Sequence, residues 1–294
     1  MSLSLVKLSK TILITGCNEG IGFQTALALA RQNHRIIMAD KNDLTESKNK
    51  VIEDSCNDNI VTKCVDFTSL SSIRNFAQEV KEEERLDVLI NNVGVFCLGK
   101  ERTDDGLQAT MQVNHFGPFL LTHLLAEKLA KSAPSRVLFV SSLGAFFHRL
   151  TIDSINSLDV SYFDGLSSLL IYYNSKLCNI ITANGFAKKL KKLGVAVNSL
   201  HPGMTATTFL WKNQSLVNPF KFFIQEPAMG AQNSVFLSTS KHVDGVSGKF
   251  FVDMKEHQQP RITTDEKFCD DIWSCSEYFV ALKEEERLTS RGYK

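Results

Sequence analysis

The sequence predicts an α/β fold, a single doubly wound parallel sheet with helices packed on both faces. Three observations carry that prediction. Short apolar runs rich in β-branched residues recur along the chain, at 11–14, 34–39, 60–65, 86–90, 136–140, 195–200 and 249–252. Segments with helical spacing of apolar residues separate them, the pattern of βαβ units joined by right-handed crossovers. No linker rich in Pro, Gly or Ser breaks the 294 residues, so one domain spanning 1–294 is expected.

Each element follows from local chemistry. The first run stops at Thr15-Gly16, and an Ala- and Leu-rich helix is expected over 23–31. The second run ends at Asp40, and a polar helix around 44–53 precedes the third. A helix near 73–83 leads to the fourth run, and helices near 107–114 and 117–130 lead to the fifth. A long helix, 165–192, feeds the sixth run, and a helix near 228–237 precedes the last strand, 249–252. Lys188-Lys189-Leu190-Lys191-Lys192 reads as a solvated helix end, because Leu190 keeps helical spacing with Phe186. The runs at 81–85 and 283–287, both Lys-Glu-Glu-Glu-Arg, read as two exposed helix ends alike by coincidence. The tail, 264–294, sets Ile272, Cys275, Phe279 and Leu282 at the spacing of a packed amphipathic helix.

Composition narrows the function classes. A net charge of +1 gives no electrostatic case for a nucleic-acid partner. Seven scattered cysteines without a CxxC pair read as reduced thiols in an intracellular protein, with no metal framework. The first residues lack a signal-peptide pattern, and no apolar run approaches the roughly 18 residues of a membrane span. A soluble, cytoplasmic protein is expected.

Two stretches carry chemistry. Thr15-Gly16-Cys17-Asn18-Glu19-Gly20-Ile21-Gly22 joins the first strand to the first helix. Its glycines let the backbone turn tightly and approach a ligand, while the helix N-terminus offers free N–H groups to a pyrophosphate. Asp40, about 20 residues on at the end of the next strand, is placed to accept hydrogen bonds from an adenosine ribose. Tyr172 and Lys176 stand four apart on a helix, so an ammonium lies beside a phenol and favours its ionised form. Such a phenol exchanges a proton with an alcohol or carbonyl oxygen. Spacing does not choose between Tyr172 and Tyr173, which is also a helical neighbour of Lys176.

With these motifs in place, the chain resembles the short-chain dehydrogenase/reductase family along almost its whole length, which implies a Rossmann sheet. Asn91-Asn92-Val93-Gly94 resembles the family's Asn-Asn-Ala-Gly motif, with Val93 in place of alanine. Asn114, Ser142, Tyr172 and Lys176 match its catalytic set, and this match selects Tyr172 over Tyr173. Pro202, Gly203 and Thr207 match the segment that wraps the nicotinamide, and Asp66, with Phe67 after it, matches the adenine contact. Within the family the chain looks most like the retinol dehydrogenase-like branch, which implies a lipophilic alcohol or carbonyl substrate. The resemblance implies that Tyr172 moves the proton, that Ser142 holds the reacting oxygen, and that Asn114 holds a water linked to Lys176. Lys176 would lower the phenol's pKa and bind the ribose. It also implies dimers or tetramers.

Charge argues for NAD(H) over NADP(H). Asp40 and Glu19 would repel a 2′-phosphate, and Lys41, where NADP-using relatives carry arginine, is the one opposing residue. Valine at 93 adds methyls beside the cofactor path, and 151–167 reads as an added loop at the mouth of the site. These two departures support an alternative, a nucleotide-binding protein with little turnover that acts through a protein partner. The apolar segment 205–226, with Phe209, Trp211, Phe220, Phe222 and Phe223, reads as a substrate lid. Residues 209–224 would then touch a membrane surface; the other reading is a core or dimer contact.

Overall fold

In a computed structural model of the protein, residues 9–96, 101–157, 164–203 and 227–288 are described, with side chains in the helix that opens at Asp164 from Ser167 onward. The lid segment 205–226, Thr207 and the last six residues of the tail lie outside them.

Each of the seven apolar runs forms a strand. β1 (Thr11–Thr15), β2 (Arg35–Asp40), β3 (Ile60–Cys64), β4 (Val88–Asn91), β5 (Ser135–Val140), β6 (Val195–His201) and β7 (Phe250–Val252) pair in parallel in the order β3-β2-β1-β4-β5-β6-β7. The order reverses between β1 and β4, the crevice where doubly wound sheets bind ligands. Successive side chains of β1 serve opposite layers. Ile12 and Ile14 join an apolar cluster with Phe23, Leu27 and Leu237, whereas Leu13 joins one with Phe116, Phe119 and Phe186.

The expected last strand is not the last. Val252 is followed by an antiparallel edge strand, β8 (Lys255–His257), paired with β7. A two-residue turn joins them, with Asp253 and Met254 at φ 48° and 61°. Every β8 residue is exposed, so no apolar periodicity marks it, and its charge protects a sheet edge.

Helices α1 (Gly20–Ala30) and α2 (Thr45–Ser55) cover one face, and α3 (Leu70–Lys81) covers the other. The two helices expected at 107–114 and 117–130 are one continuous path. α4 (Ala109–Met111) passes through a wide turn (Gln112–Phe116) into α5 (Gly117–Lys131). That turn is a π-helix, which absorbs one extra residue and so commonly marks functional positions. α6 (Asp164–Leu190) follows β5, and α7 (Pro227–Thr239) packs against α1.

The stretch 151–167 is not wholly a loop. α6 starts at Asp164, and Ile155 is 1% exposed within the core; residues 158–163 lie outside the described part. Asn156 fixes this stretch, since its Oδ1 accepts the Gln108 N–H at 2.8 Å.

Among the described residues of the tail, α8 (Glu266–Phe279) is the α-helix, capped by Asp265, whose Oδ1 accepts the Phe268 N–H at 3.0 Å, and a short 3-10 turn follows at Glu284–Glu286. Trp273 anchors α8. The indole lies 4.9 Å from both Phe119 and Phe186, centre to centre, with the Lys189 ammonium 4.8 Å above it. Gly185 makes room, because a Cβ there would sit 2.5 Å from the indole. The run 283–287 is not an exposed helix end. Glu286 is 7% exposed and pairs with Arg74 at 2.8 Å, while Arg74 Nη2 donates to the Val280 and Ala281 carbonyls at 3.0 Å each. At 81–85, Glu83 likewise pairs with Arg35 at 2.8 Å.

Candidate active site

The first half of the site is a lock between two loops at the switch in strand order. Thr15 Oγ1 accepts the N–H groups of Asn92 and Val93, each at 3.1 Å. Asn92 Nδ2 returns two bonds, to the carbonyls of Thr15 at 2.9 Å and Gly16 at 2.8 Å. The close approach needs glycine: a Cβ on Gly16, at φ 66°, would lie 2.8 Å from Val93 Cα. Val93 itself is partly buried and packs against the apolar core.

The neighbouring residues complete this rim. Gly20, at φ 63°, faces open space at the N-terminus of α1, beside exposed Glu19 and half-buried Ile21. Asp40 braces the loop, with Oδ2 accepting the Asn18 N–H at 3.3 Å and Oδ1 accepting the Asn42 N–H at 3.1 Å. Asn18 is tied in turn to Ser47, whose hydroxyl donates to its Oδ1 at 2.8 Å. Lys41 is exposed just beyond. Asp66 Oδ1 accepts from the N–H and hydroxyl of Thr68, at 2.8 and 2.7 Å. Phe67 is a core ring, 4% exposed, against Gly117, so only its backbone is free for a ligand.

The second half gathers the four predicted catalytic residues. Asn114 lies in the wide turn between α4 and α5. Its Oδ1 accepts the Val95 N–H at 2.7 Å, and its Nδ2 donates to the Val95 carbonyl at 2.9 Å and to Ser175 Oγ at 3.0 Å. Ser142 follows β5, and Tyr172 and Lys176 share one face of α6. The Ser142 side chain acts on the Tyr172 phenol and lowers its pKa against the rise from burial, while Ser142 Oγ accepts the Gly144 N–H at 3.0 Å. The Lys176 ammonium lies 5.4 Å from the centre of the Tyr172 ring and donates to the Val140 carbonyl at 3.0 Å. Gly94 sits between the parts: a Cβ there would come within 3.2 Å of Lys176 Nζ and 3.6 Å of Asn114 Oδ1. Pro202 and Gly203, the latter at φ 89°, follow β6 at the same edge.

Burial opposes the simple electrostatic expectation for the pair. It pushes the Tyr172 phenol up to about 12, with Tyr173 adding to the rise and the Ser142 hydroxyl lowering it. Burial also brings Lys176 down to about 8. In the protein alone desolvation therefore outweighs the attraction of ammonium for phenolate. Both groups hold their protons at neutral pH.

Two supporting residues, Ser175 and Ser141, escaped the sequence reading; a third, His201, is with His115 one of two histidines whose positions in the family motifs imply scaffolding near the site. Ser175, one residue before Lys176, anchors Asn114. Ser141 Oγ donates to the Lys176 carbonyl at 2.6 Å. His201 Nδ1 accepts the Leu143 N–H at 3.3 Å and so positions the turn that carries Ser142. Only adjacency to the motifs marked the two serines. His115, the other motif histidine, faces away: Ser276 gives its proton to the Ile272 carbonyl at 2.7 Å, so His115 Nε2 donates to Ser276 Oγ at 2.8 Å.

Burial lowers His115 to about 3 and His201 to about 4. An unfolded chain takes up these protons near pH 6.5, so stability is intact above that pH and falls as pH drops toward 4. Each histidine adds a slope of up to about 1.4 kcal/mol per pH unit. Urea unfolding at pH 7.5 and 5.5 should show the loss, and His115→Gln should remove part of it; equal midpoints at both pH values would contradict this assignment.

Comparison with known proteins agrees with this geometry. Residues 10–154 match the model of the family described as short chain dehydrogenase. Retinol dehydrogenase 14 of Mus musculus is 37% identical over 93% of this chain and 86% of its own length. Retinol dehydrogenase 13 of Homo sapiens is 34% identical over 93% of this chain and 85% of its own length. This chain belongs to the short-chain dehydrogenase family. It is an oxidoreductase that uses a nicotinamide cofactor and acts on CH–OH groups. The fold agrees as well: a crystal structure of an uncharacterized protein from Mycobacterium Paratuberculosis superposes with a TM-score of 0.74 at 25% identity, covering 92% of this chain and 93% of that one.

The residues present fit a dinucleotide. A short-chain dehydrogenase needs a backbone approach free of side chains, and the open space at Gly20, the helix N-terminus and Asp40 beyond it provide that approach. Among the described residues no group of His, Cys, Asp and Glu is assembled that would hold a metal, and no helix is long and apolar enough to cross a membrane.

Proposed function

We propose that this dehydrogenase interconverts a lipophilic alcohol and its carbonyl, using NAD(H) in preference to NADP(H), with Tyr172 as general acid and base. The observation that carries the reading is the assembly of Asn114, Ser142, Tyr172 and Lys176 around Gly94 at the switch in strand order. The bound nicotinamide supplies or accepts the hydride. Thr15, Gly16, Asn18, Gly20, Ile21, Gly22, Asp40, Asp66, Asn92, Val93 and Gly94 would hold the dinucleotide, with Pro202 and Gly203 at the nicotinamide end. Ser142 binds the reacting oxygen through its hydroxyl. Tyr172 gives its phenolic proton to that oxygen in reduction and takes it back in oxidation. Lys176 orients the site through its bond to Val140 and, as a cation, favours ionised Tyr172 once a second positive charge joins it. Asn114 would hold the water that resupplies the proton through Lys176.

The relatives named retinol dehydrogenases support a lipophilic substrate such as a retinoid, and steroids and aliphatic aldehydes belong to the same lipophilic class. A panel of these with each cofactor tests the reading. Absence of turnover with every pair, together with unaltered behaviour of the Ser142→Ala enzyme, would remove it in favour of a nucleotide-binding protein that acts through a partner.

Cofactor choice rests on Asp40. Its bonds to Asn18 and Asn42 fix the carboxylate at the end of β2, where it would face a 2′-phosphate. Replacing Asp40 by Ala should shift the NADPH-to-NADH affinity ratio at least tenfold toward NADPH, equivalent to about 1.4 kcal/mol. Titration of both reduced cofactors by fluorescence reads this directly; an unmoved ratio would transfer the choice to Glu19 and Lys41.

A further inference from the structure

Beyond the four catalytic residues, aromatic rings run outward from the site. Phe96 lies 5.5 Å from Tyr172, Tyr172 lies 6.2 Å from Tyr173, and Tyr173 lies 6.0 Å from Phe147, centre to centre. The series ends on a phenylalanine that is 68% exposed, on the short helical turn that begins next to Ser142. A single exposed phenylalanine needs no explanation. This one is continuous with the reactive phenol, and the backbone has been shaped to keep it so. A Cβ on Gly144 would lie 2.5 Å from two atoms of the Tyr173 ring, so that ring rests directly on glycine backbone. Any larger residue would push Tyr173 off the turn that carries Phe147.

We propose that Tyr173 and Phe147 are specificity-determining residues, forming with Gly144 an aromatic wall along which the apolar chain of the substrate lies while its oxygen reaches Tyr172 and Ser142. The assignment rests on reading the site as an oxidoreductase for lipophilic substrates, and it adds a preference for extended over compact molecules. Aromatic faces remove apolar surface from water without demanding a particular hydrogen bond, so the wall rewards chain length. Tyr173 acts through its ring; its hydroxyl is not required.

The test compares dodecanal with butanal. Phe147→Ala and Tyr173→Ala should each lower the ratio of kcat/KM for dodecanal over butanal roughly tenfold, as expected when one apolar contact surface is lost. Tyr173→Phe should keep the ratio. Gly144→Ala should lower it too, but add little on top of Tyr173→Ala, because the two changes remove the same contact. A ratio unchanged in Phe147→Ala overturns the proposal. A binding measurement separates this outcome from failure of the enzymatic reading. Calorimetric titration of dodecanol into protein saturated with reduced cofactor should give roughly tenfold weaker binding for Phe147→Ala than for wild type. If wild type turns over neither aldehyde but this difference persists, the wall stands and the reading of such aldehydes as substrates falls. Equal affinities, or no dodecanol binding to wild type, remove the wall.

Discussion

Replacing Tyr172 by phenylalanine should lower kcat/KM by two to four orders of magnitude, the usual contribution of a positioned acid or base. The ring would still pack against Phe96, 5.5 Å away, so fold and cofactor affinity should be nearly unaltered. What disappears is the phenolic proton and its interaction with the Ser142 side chain. Tyr173→Phe should stay within a few-fold of wild type with a short substrate. Steady-state rates of the two variants, each with its cofactor affinity measured, decide the matter. The reverse ranking would assign the proton to Tyr173. The pH dependence adds a second reading. With the phenol at about 12 and Lys176 at about 8 in the protein alone, oxidation should accelerate with rising pH up to the point where Lys176 loses its charge.

Gly22→Ala should destabilise the protein by more than about 3 kcal/mol, a size reserved for overpacking with no route of relief. A Cβ at that position would stand 2.1 Å from the Gly16 carbonyl oxygen and 2.6 Å from Asn92 Nδ2, atoms of the lock between the two loops. Neither belongs to a flexible side chain with somewhere to go: Asn92 Nδ2 already bridges two carbonyls. Gly20→Ala is the control. Its Cβ would meet nothing, so only the left-handed backbone at φ 63° remains as a cost, about 1–2 kcal/mol. Urea unfolding of the two variants should separate them clearly. Similar losses in both would mean that conformation, not contact, dictates glycine at 22.

The parallel sheet and the placement of the candidate catalytic residues were legible because they follow from strong local signals. The seven apolar runs each became a strand, most of them covered on both faces, while the edge strand β3 alternates buried and exposed residues. Tyr172 and Lys176 fell on one helical face because four residues separate them. What escaped reading was encoded in contacts rather than in patterns. β8 is entirely exposed and polar, so its pairing with β7 left no periodic trace. The wide turn that carries Asn114 looks like ordinary helix in sequence. Glu286 sits in the same pentapeptide as Glu285, yet one is buried against Arg74 and the other exposed. Composition cannot distinguish them. The burial that raises the Tyr172 phenol in the protein alone was also out of reach, since a neighbour's charge is visible in sequence and the loss of water is not.

The junction of Arg74 with Glu286 bears on how the chain comes into being. Its partners stand 212 residues apart, and Trp273 of the same tail covers Phe119 and Phe186. During synthesis from the N-terminus, the glycine loop and its surrounding strands are available long before this cover exists. The layer over α5 and α6 therefore stays open to water, and to other chains, until the segment that carries Trp273 and Glu286 emerges. Contacts so distant along the chain form late and slowly. The glycine loop is thus assembled before the cover over Phe119 and Phe186, and the exposure of that apolar layer in the nascent chain depends on a segment made more than 150 residues after Phe119.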